Sequence, residues 1–313
     1  MPRLPGKMLL PVILLLCLSL LSGCRRDSSP PSSDSSSSGS LPAETPDYPV
    51  DVFGIEVDSQ PVRVVSLSPA VTELLCAFGY GDRLFGVSDA CDYPEMVLGM
   101  SQCGSSLLPD IDQIAEISPD FLITESPLQQ DDYWALVNLD IDVVEISAPQ
   151  DFAQIMDLYR DICTLMDGAS SGTQTGEMLA DLYTQQIAVL QEKVTADPLG
   201  DTLSAVFIID ESGVVATGGT FYHEILSALG LINLAEDGDR VVTSFEGKQP
   251  DLILYGDRVS REDIVQSPVF ADLEAVQNDK MFSVPLAPLE RVSPRMFDML
   301  EQIANQIYTA SWD

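Results

Sequence analysis

The sequence predicts an α/β protein, with two Rossmann-like α/β lobes joined by one long helix. Two observations carry that reading. Over residues 173–196 the apolar side chains Leu179, Leu182, Tyr183, Ile187, Leu190 and Val194 draw a single stripe at helical spacing, bracketed by Gly172 and Pro198. At roughly 1.5 Å per residue such a helix reaches about 35 Å, the width of a small domain. On either side of it the chain repeats one pattern. An apolar run opens each half, Val62-Arg63-Val64-Val65-Ser66-Leu67 before the helix and Leu203-Ser204-Ala205-Val206-Phe207-Ile208-Ile209 after it. Each half then returns through Pro-Asp into a second apolar run, Phe121-Leu122-Ile123 and Leu252-Ile253-Leu254. Buried-type strands separated by helical patterns are how parallel α/β units read.

Taken in order, the chain opens on an export signal. Arg3 and Lys7 precede an apolar run over residues 8–21, shorter than the roughly 17 to 25 residues that span a bilayer. The run ends in Leu21-Ser22-Gly23-Cys24, which resembles the lipobox of bacterial lipoproteins. That resemblance implies removal of residues 1–23 and a diacylglycerol on the Cys24 thiol, with Arg25 and Arg26 close to acidic headgroups. An ordinary secretory signal cleaved elsewhere is the other reading. Residues 24–59, with Ser35 to Ser38 in a row, read as the lipid anchor and a flexible Ser/Pro-rich linker. The folded part is then divided into an N-terminal lobe over 60–150, connecting helices over 151–200 and a C-terminal lobe over 201–313.

Composition narrows the partners. Forty-nine acidic residues against fifteen basic ones give a net charge of −34, so a nucleic-acid backbone would be repelled. The acidity serves solubility outside the cell or docking onto a basic partner. Without Cys17 and Cys24, four cysteines remain at positions 76, 91, 103 and 163. They allow three disulfide pairings, and no CxxC spacing marks a zinc or redox site.

In the first lobe, Ser68 and Pro69 stand where a helix cap and first turn belong, at the carboxyl end of a strand where open α/β sheets bind ligands. A short strand over 84–87 leads to Cys91-Asp92-Tyr93-Pro94. Tyr93, placed before proline, is extended or in a turn, and its ring either projects from the loop or packs on its own lobe. Asp110 caps a further helix, with Asp112 favoured in its first turn by the helix dipole. The next elements are a helix over 134–139, a strand over 143–146 and a helix over 151–166. In the second lobe the loop Thr217-Gly218-Gly219-Thr220 precedes a helix over 221–229 that carries Tyr222 and His223, the one histidine of the chain. His223 is apt as an axial ligand to iron or cobalt. A solvated surface histidine is the competing reading, and the residue type favours it. A strand over 281–284 comes next, then Arg291 and Arg295, two scarce cations four residues apart, before a final helix over 296–308. In a cleft Arg291 offers paired donors to carboxylates, amides or phosphate. A capping or salt-bridging pair is the alternative, more so for Arg295.

The motifs Arg63-Val64-Val65-Ser66-Leu67-Ser68-Pro69-Ala70-Val71-Thr72-Glu73, the turn 91–94, both Pro-Asp strands and Glu290-Arg291-Val292-Ser293-Pro294-Arg295 together resemble the substrate-binding proteins of iron-siderophore, heme and cobalamin ABC importers. The resemblance runs from about residue 49 to the end and is nearest to the cobalamin binders. It implies a rigid interlobe helix, a ligand cleft between the lobes, and a monomer that serves an ABC permease and its ATPase from the extracytoplasmic membrane face. It implies ligand contacts from Tyr93 and Arg291, and Ser68, Thr217, Tyr222 and His223 join them as candidates. The family's two permease-docking glutamates match Asp112 and, less directly, Glu246. Ser106, Glu125 and Ala287 depart from the cobalamin pattern. No cofactor, no metal site of the protein's own and no catalytic residue is expected, the ligand being a corrinoid, a ferric siderophore or heme. The rivals are an exported hydrolase, for which GxSxG and HExxH are absent, a zinc or manganese receptor, which one histidine disfavours, and a ligand-free structural or signalling lobe pair.

Overall fold

The computed structural model describes residues 47–200, 202–245 and 247–310. The expected signal over 1–23, the lipidated Cys24 and the docking candidate Glu246 lie outside them. Among the described residues no helix is long and apolar enough to cross a membrane.

A hairpin comes first, β1 (Val50–Val52) against β2 (Ile55–Val57), closed by Phe53 and Gly54 at φ of 53° and 76°. The first lobe follows with β3 (Val64–Ser66), α1 (Pro69–Ala77), β4 (Leu84–Val87), β5 (Ser101–Gln102), α2 (Ile111–Ile117), β6 (Phe121–Thr124), α3 (Gln130–Val137) and β7 (Asp142–Glu145). Its five strands are parallel in the order β5-β4-β3-β6-β7. Two helices, α4 (Phe152–Asp167) and α5 (Thr173–Thr195), lead to the second lobe. That lobe comprises β8 (Ser204–Ile208), α6 (Phe221–Ala228), β9 (Ile232–Asn233), β10 (Leu252–Gly256), α7 (Arg261–Gln266), α8 (Glu274–Gln277), β11 (Met281–Val284), α9 (Leu286–Glu290) and α10 (Pro294–Tyr308). Its four parallel strands run β11-β10-β8-β9. Every residue of β3 and β6 is buried, which is why these strands read as unbroken apolar runs.

The internal repeat has a physical cause. Asp120 accepts hydrogen bonds from the backbone N–H groups of Val62 (2.8 Å) and Arg63 (2.9 Å). Asp251 accepts from the backbone N–H (2.7 Å) and hydroxyl (2.6 Å) of Ser204. In each lobe, then, the aspartate that starts the later strand ties down the start of the central one.

The long helix ends at Thr195, close to where its pattern stops, but it does not join the lobes alone. It folds back antiparallel on α4 through Gly172 and Gly176. A Cβ on Gly172 would stand 2.2 Å from the Cys163 carbonyl oxygen, and one on Gly176 would stand 2.6 Å from the Arg160 Cα. Gly176 and Ala180 are buried, while Leu182, read as part of the core stripe, is 46% exposed. The close approach of two backbones puts small residues, not bulky ones, at the helix contact.

The linker expected over 24–59 is also shorter than its composition suggests, because residues 47–60 clasp the carboxyl end of α4. Val50, Val52 and Val57 are buried. The Tyr48 hydroxyl donates to the Leu165 carbonyl (2.8 Å) and Gln60 Nε2 to that of Met166 (3.2 Å). Arg83 also donates to the Met166 carbonyl and pairs with Asp167 at 2.9 Å. Helix-end carbonyls that lack intrahelical partners are satisfied this way. The four cysteines of the folded part are free thiols, Cys91, Cys103 and Cys163 buried and Cys76 partly so. Burial pushes Cys76, Cys103 and Cys163 up to about 11, which keeps them protonated and unreactive.

Candidate ligand site between the lobes

In each sheet the first strand lies inside, with the chain running from it first to one side and then to the other. Ligands of open α/β sheets bind at such switch points, outside the carboxyl ends of the strands. Here the two carboxyl edges meet. Arg291, which caps α9 beyond β11, donates to Asp92 and to the Ala90 carbonyl (3.3 Å) in the loop after β4.

The centre of the meeting is Glu73 on α1, which is 2% exposed. Its carboxylate accepts from Arg291 Nη1 (2.8 Å), from Arg295 Nε (2.8 Å) and Nη2 (2.5 Å), and from the Ser293 hydroxyl (2.7 Å). Ser293 stands at the cap position of α10 yet makes no side-chain cap bond, because its hydroxyl is turned to Glu73. Val292 between them sits at φ 46°, a conformation that β-branched residues rarely adopt, and its carbonyl accepts from the buried Tyr159 hydroxyl at 2.6 Å. The left-handed turn lets Arg291 and Ser293 reach one carboxylate. Burial pulls the Arg291 pKa down, but the Asp92 and Glu73 carboxylates outweigh it and the net shift is upward. The Arg291 hydrogen bond in turn holds Asp92 below the usual carboxylate range.

The expected site residues fall into three places. Tyr93 lies at the seam, 46% exposed, with the Arg295 guanidinium 4.3 Å from its ring centroid. Arg291 joins it there, and Tyr222 reaches the residue before Arg291 from within the second lobe. The Tyr222 hydroxyl donates to Glu290 at 2.6 Å, and Glu290 also takes both guanidinium nitrogens of Arg258. Burial chiefly, then the Glu290 contact, raises the Tyr222 pKa. Ser68 lies at the first lobe's switch point, fully buried. Its Oγ accepts from the Val71 N–H (3.1 Å) and donates to Glu125 beyond β6 (2.5 Å).

Thr217 and His223 form a third group in the second lobe. The Thr217 carbonyl accepts from the backbone and hydroxyl of Thr220. Around His223 the network fixes a tautomer. Asn233 Oδ1 accepts from the Ala235 N–H, so its Nδ2 is the group that donates to the Ala216 carbonyl (3.0 Å) and lies 3.3 Å from His223 Nδ1. Nδ1 is then the acceptor and the proton sits on Nε2, 3.9 Å from Glu236. Asp112 is exposed in the first turn of α2. Among the described residues no three His, Cys, Asp or Glu side chains converge to hold a metal ion.

Sequence reasoning missed Glu73, Glu290 and Arg258. The signal for Glu73 was its place among Val71, Leu74 and Leu75, all buried on α1, where an acid needs a cation. A groove of about 340 Å³ between α5 and α10, lined by Leu182, Val189, Phe297 and Leu300 among others, takes no wall from any strand-end loop.

A family profile described as periplasmic binding protein matches residues 64–287. The chain belongs to the periplasmic binding protein family. Its relatives include the ABC transporter substrate-binding lipoprotein YvrC of Bacillus subtilis, 23% identical over 94% of this chain and 95% of the relative. The vitamin B12-binding protein of Vibrio cholerae is 23% identical over 79% of this chain and 90% of its own. Among solved structures, the apo periplasmic heme-binding protein RhuT of Roseiflexus shares the fold at a TM-score of 0.65, with 20% identity over 79% of this chain and 97% of that one. The matched residues of this periplasmic binding protein begin at β3 and end in α9, so they contain both switch points.

Removing Glu73 tests the seam. Glu73→Ala leaves two guanidiniums facing each other, and chemical denaturation is expected to show a loss of about 3–5 kcal/mol. Asp92→Ala, at a side chain 67% exposed, should cost less than about 1 kcal/mol. Equal losses for the two variants would contradict the central place given to Glu73.

Proposed function

We propose that this protein is the extracytoplasmic receptor of an ABC importer, a monomer that captures a corrinoid between its lobes and presents it to a membrane permease and its ATPase. The observation that carries the reading is the Tyr93 ring, half-exposed at the seam where two strand-end edges meet, and held there by Arg295. Such a ring offers apolar area to a broad flat ligand, while the neighbouring polar groups can orient amide side chains. The vitamin B12-binding relatives support the same choice. A ferric siderophore or heme would use the site in the same role, and heme-binding neighbours of like fold keep heme as the alternative. The relatives are binding proteins, and the role proposed here involves no catalytic step.

Purified protein mixed with cobalamin, a ferric siderophore or heme should show a raised melting temperature with one of them. Ligand at about 100 times Kd stabilises by about 2.7 kcal/mol. No shift with any of the three would sink the receptor reading.

Two contacts with the membrane complete the proposal. The Leu21-Ser22-Gly23-Cys24 motif supports a lipid on Cys24 that tethers the protein to the outer face of the cell membrane. Cys24→Ser should abolish partition into the detergent phase at the mature mass; retention there would remove the anchor. Asp112, exposed on the first lobe, is assigned to dock on a permease arginine, and Glu246 to do so from the second lobe. Asp112→Lys should lower uptake of labelled ligand into cells by tenfold or more, roughly the loss expected of a reversed rim charge, with affinity unchanged. Normal uptake by that variant would return Asp112 to its role in the helix dipole.

A further inference from the structure

We infer that the cleft selects metal chelates that are neutral or cationic and carry N–H donors, that it disfavours chelates bearing free carboxylates or catecholates, and that Glu125 makes the discriminating contact. The inference rests on the proposed receptor role and names the charge class of its ligand.

The argument starts from what the cations of the seam are doing. An anionic chelate needs unpaired guanidinium or ammonium donors, since burying its charge without a partner is costly. Arg291 and Arg295 are committed to Glu73, and Arg291 also to Asp92. Arg258 is held by both oxygens of Glu290. To take Arg291 or Arg295 from Glu73, a ligand would have to leave that carboxylate desolvated and alone, which is the expensive way to break an ion pair, whereas the Arg258–Glu290 pair, with Arg258 57% exposed, yields at less cost. Two further cations by the loops of the second lobe, Arg240 and Lys248, are exposed. Both stand among carboxylates: Asp237 and Asp239 line one hollow with Lys248 and precede Arg240 in sequence, and Asp210, whose pKa is lowered first by the Ser212 hydroxyl, feels Arg240 in smaller part.

The acceptors are disposed the opposite way. At the first lobe's switch point Ser68 has no hydroxyl capacity left to contact a ligand by donation. It spends its proton on Glu125 Oε2 and so fixes that exposed carboxylate beyond the end of β6. Among the described residues Ser68 is the one hydrogen-bond donor to Glu125, so Oε1 remains to accept from a ligand. A chain of net charge −34 adds a long-range field of the same sign. Primary amides and ammonium-like groups meet acceptors here, and carboxylates meet repulsion.

The test compares dissociation constants of the purified full-length protein in detergent for four probes. These are diaquacobinamide (cationic, amide-bearing), cyanocobalamin (neutral, amide-bearing), hemin (two propionates) and a ferric tris-catecholate (trianion). The two corrinoids should bind at least about 100-fold more tightly than the two anions, the size of effect that charge complementarity gives at a desolvated site. Glu125→Gln, nearly isosteric, should weaken diaquacobinamide by about tenfold and cyanocobalamin by less, and raised salt should erode the cobinamide affinity of the parent protein. Hemin or the tris-catecholate binding as tightly as the corrinoids would overturn the charge selection while leaving the receptor role intact. Failure of all four to bind would remove both. An unchanged cobinamide affinity in a Glu125→Gln protein with parental melting temperature would overturn the part assigned to Glu125.

Discussion

The position of one lobe against the other depends on a single buried carboxylate. Glu73 stands on the first helix of one lobe and takes its hydrogen bonds from three residues at the start of the last helix of the other. A carboxylate at 2% exposure would be prohibitive if unpaired, and the two guanidiniums would be nearly as costly without it. The gain from bringing the lobes together is therefore steep near one geometry and small elsewhere. Fork-shaped donors make the geometry narrower still, because Arg295 meets both oxygens of Glu73 through two nitrogens. The left-handed turn at Val292 costs about 1–3 kcal/mol in conformational strain, and it persists because the Tyr159 hydroxyl and the Glu73 pairs over-determine it.

Apolar packing reinforces the same relation. Phe78, Tyr159, Tyr183 and Phe297 form a run of aromatic contacts from the end of α1 through α4 and α5 to α10, with ring centroids 5.0, 5.5 and 4.7 Å apart. The first pairs are edge-to-face and the last stacked, and such pairs resist sliding because their preferred offsets are specific. The antiparallel seat of α5 on α4, fitted closely at Gly172 and Gly176, makes the connector a two-helix strut in place of a lone rod. Bending it would separate backbones already in contact.

Which parts were legible from sequence follows from which forces act locally. The strands and the long helix were legible, because burial on both faces and helical periodicity leave a pattern in consecutive residues. The caps at Ser68 and Asp110 were legible for the same reason, their partners lying three residues away. The Pro-Asp repeat was visible but its cause was not, since Asp120 and Asp251 reach 57 and 47 residues back. The helix contact on α5 escaped because Gly176 and Ala180 contribute no hydrophobicity to a stripe, although they are the residues that let α4 approach. Motif resemblance singled out Tyr93 and Arg291, which the structure brings to the seam between the lobes. That Arg291 is shared with Glu73, 218 residues away, could not be read from either motif alone. Ser293 illustrates the limit well: Ser-Pro reads as a helix cap, and its hydroxyl goes to another lobe.

In the receptor role proposed, a seam built this way would favour capture by fit over capture by closure. Where a hinge closes on its ligand, part of the interaction energy goes into the rearrangement, and the affinity reports what remains. Here the seam is already assembled by Glu73, the aromatic run and the helix strut, so little ordering is left for the ligand to drive, and a preformed site loses less on binding. A receptor of that kind would select by shape and charge. That places the burden on the few groups at the strand ends. Their disposition is consistent: Arg291 and Arg295 are tied up holding the lobes, Glu125 is held by the buried Ser68 hydroxyl, and the Tyr93 ring is half-exposed at the seam. The arrangement that fixes the lobes thereby also fixes the sign of the surface they present.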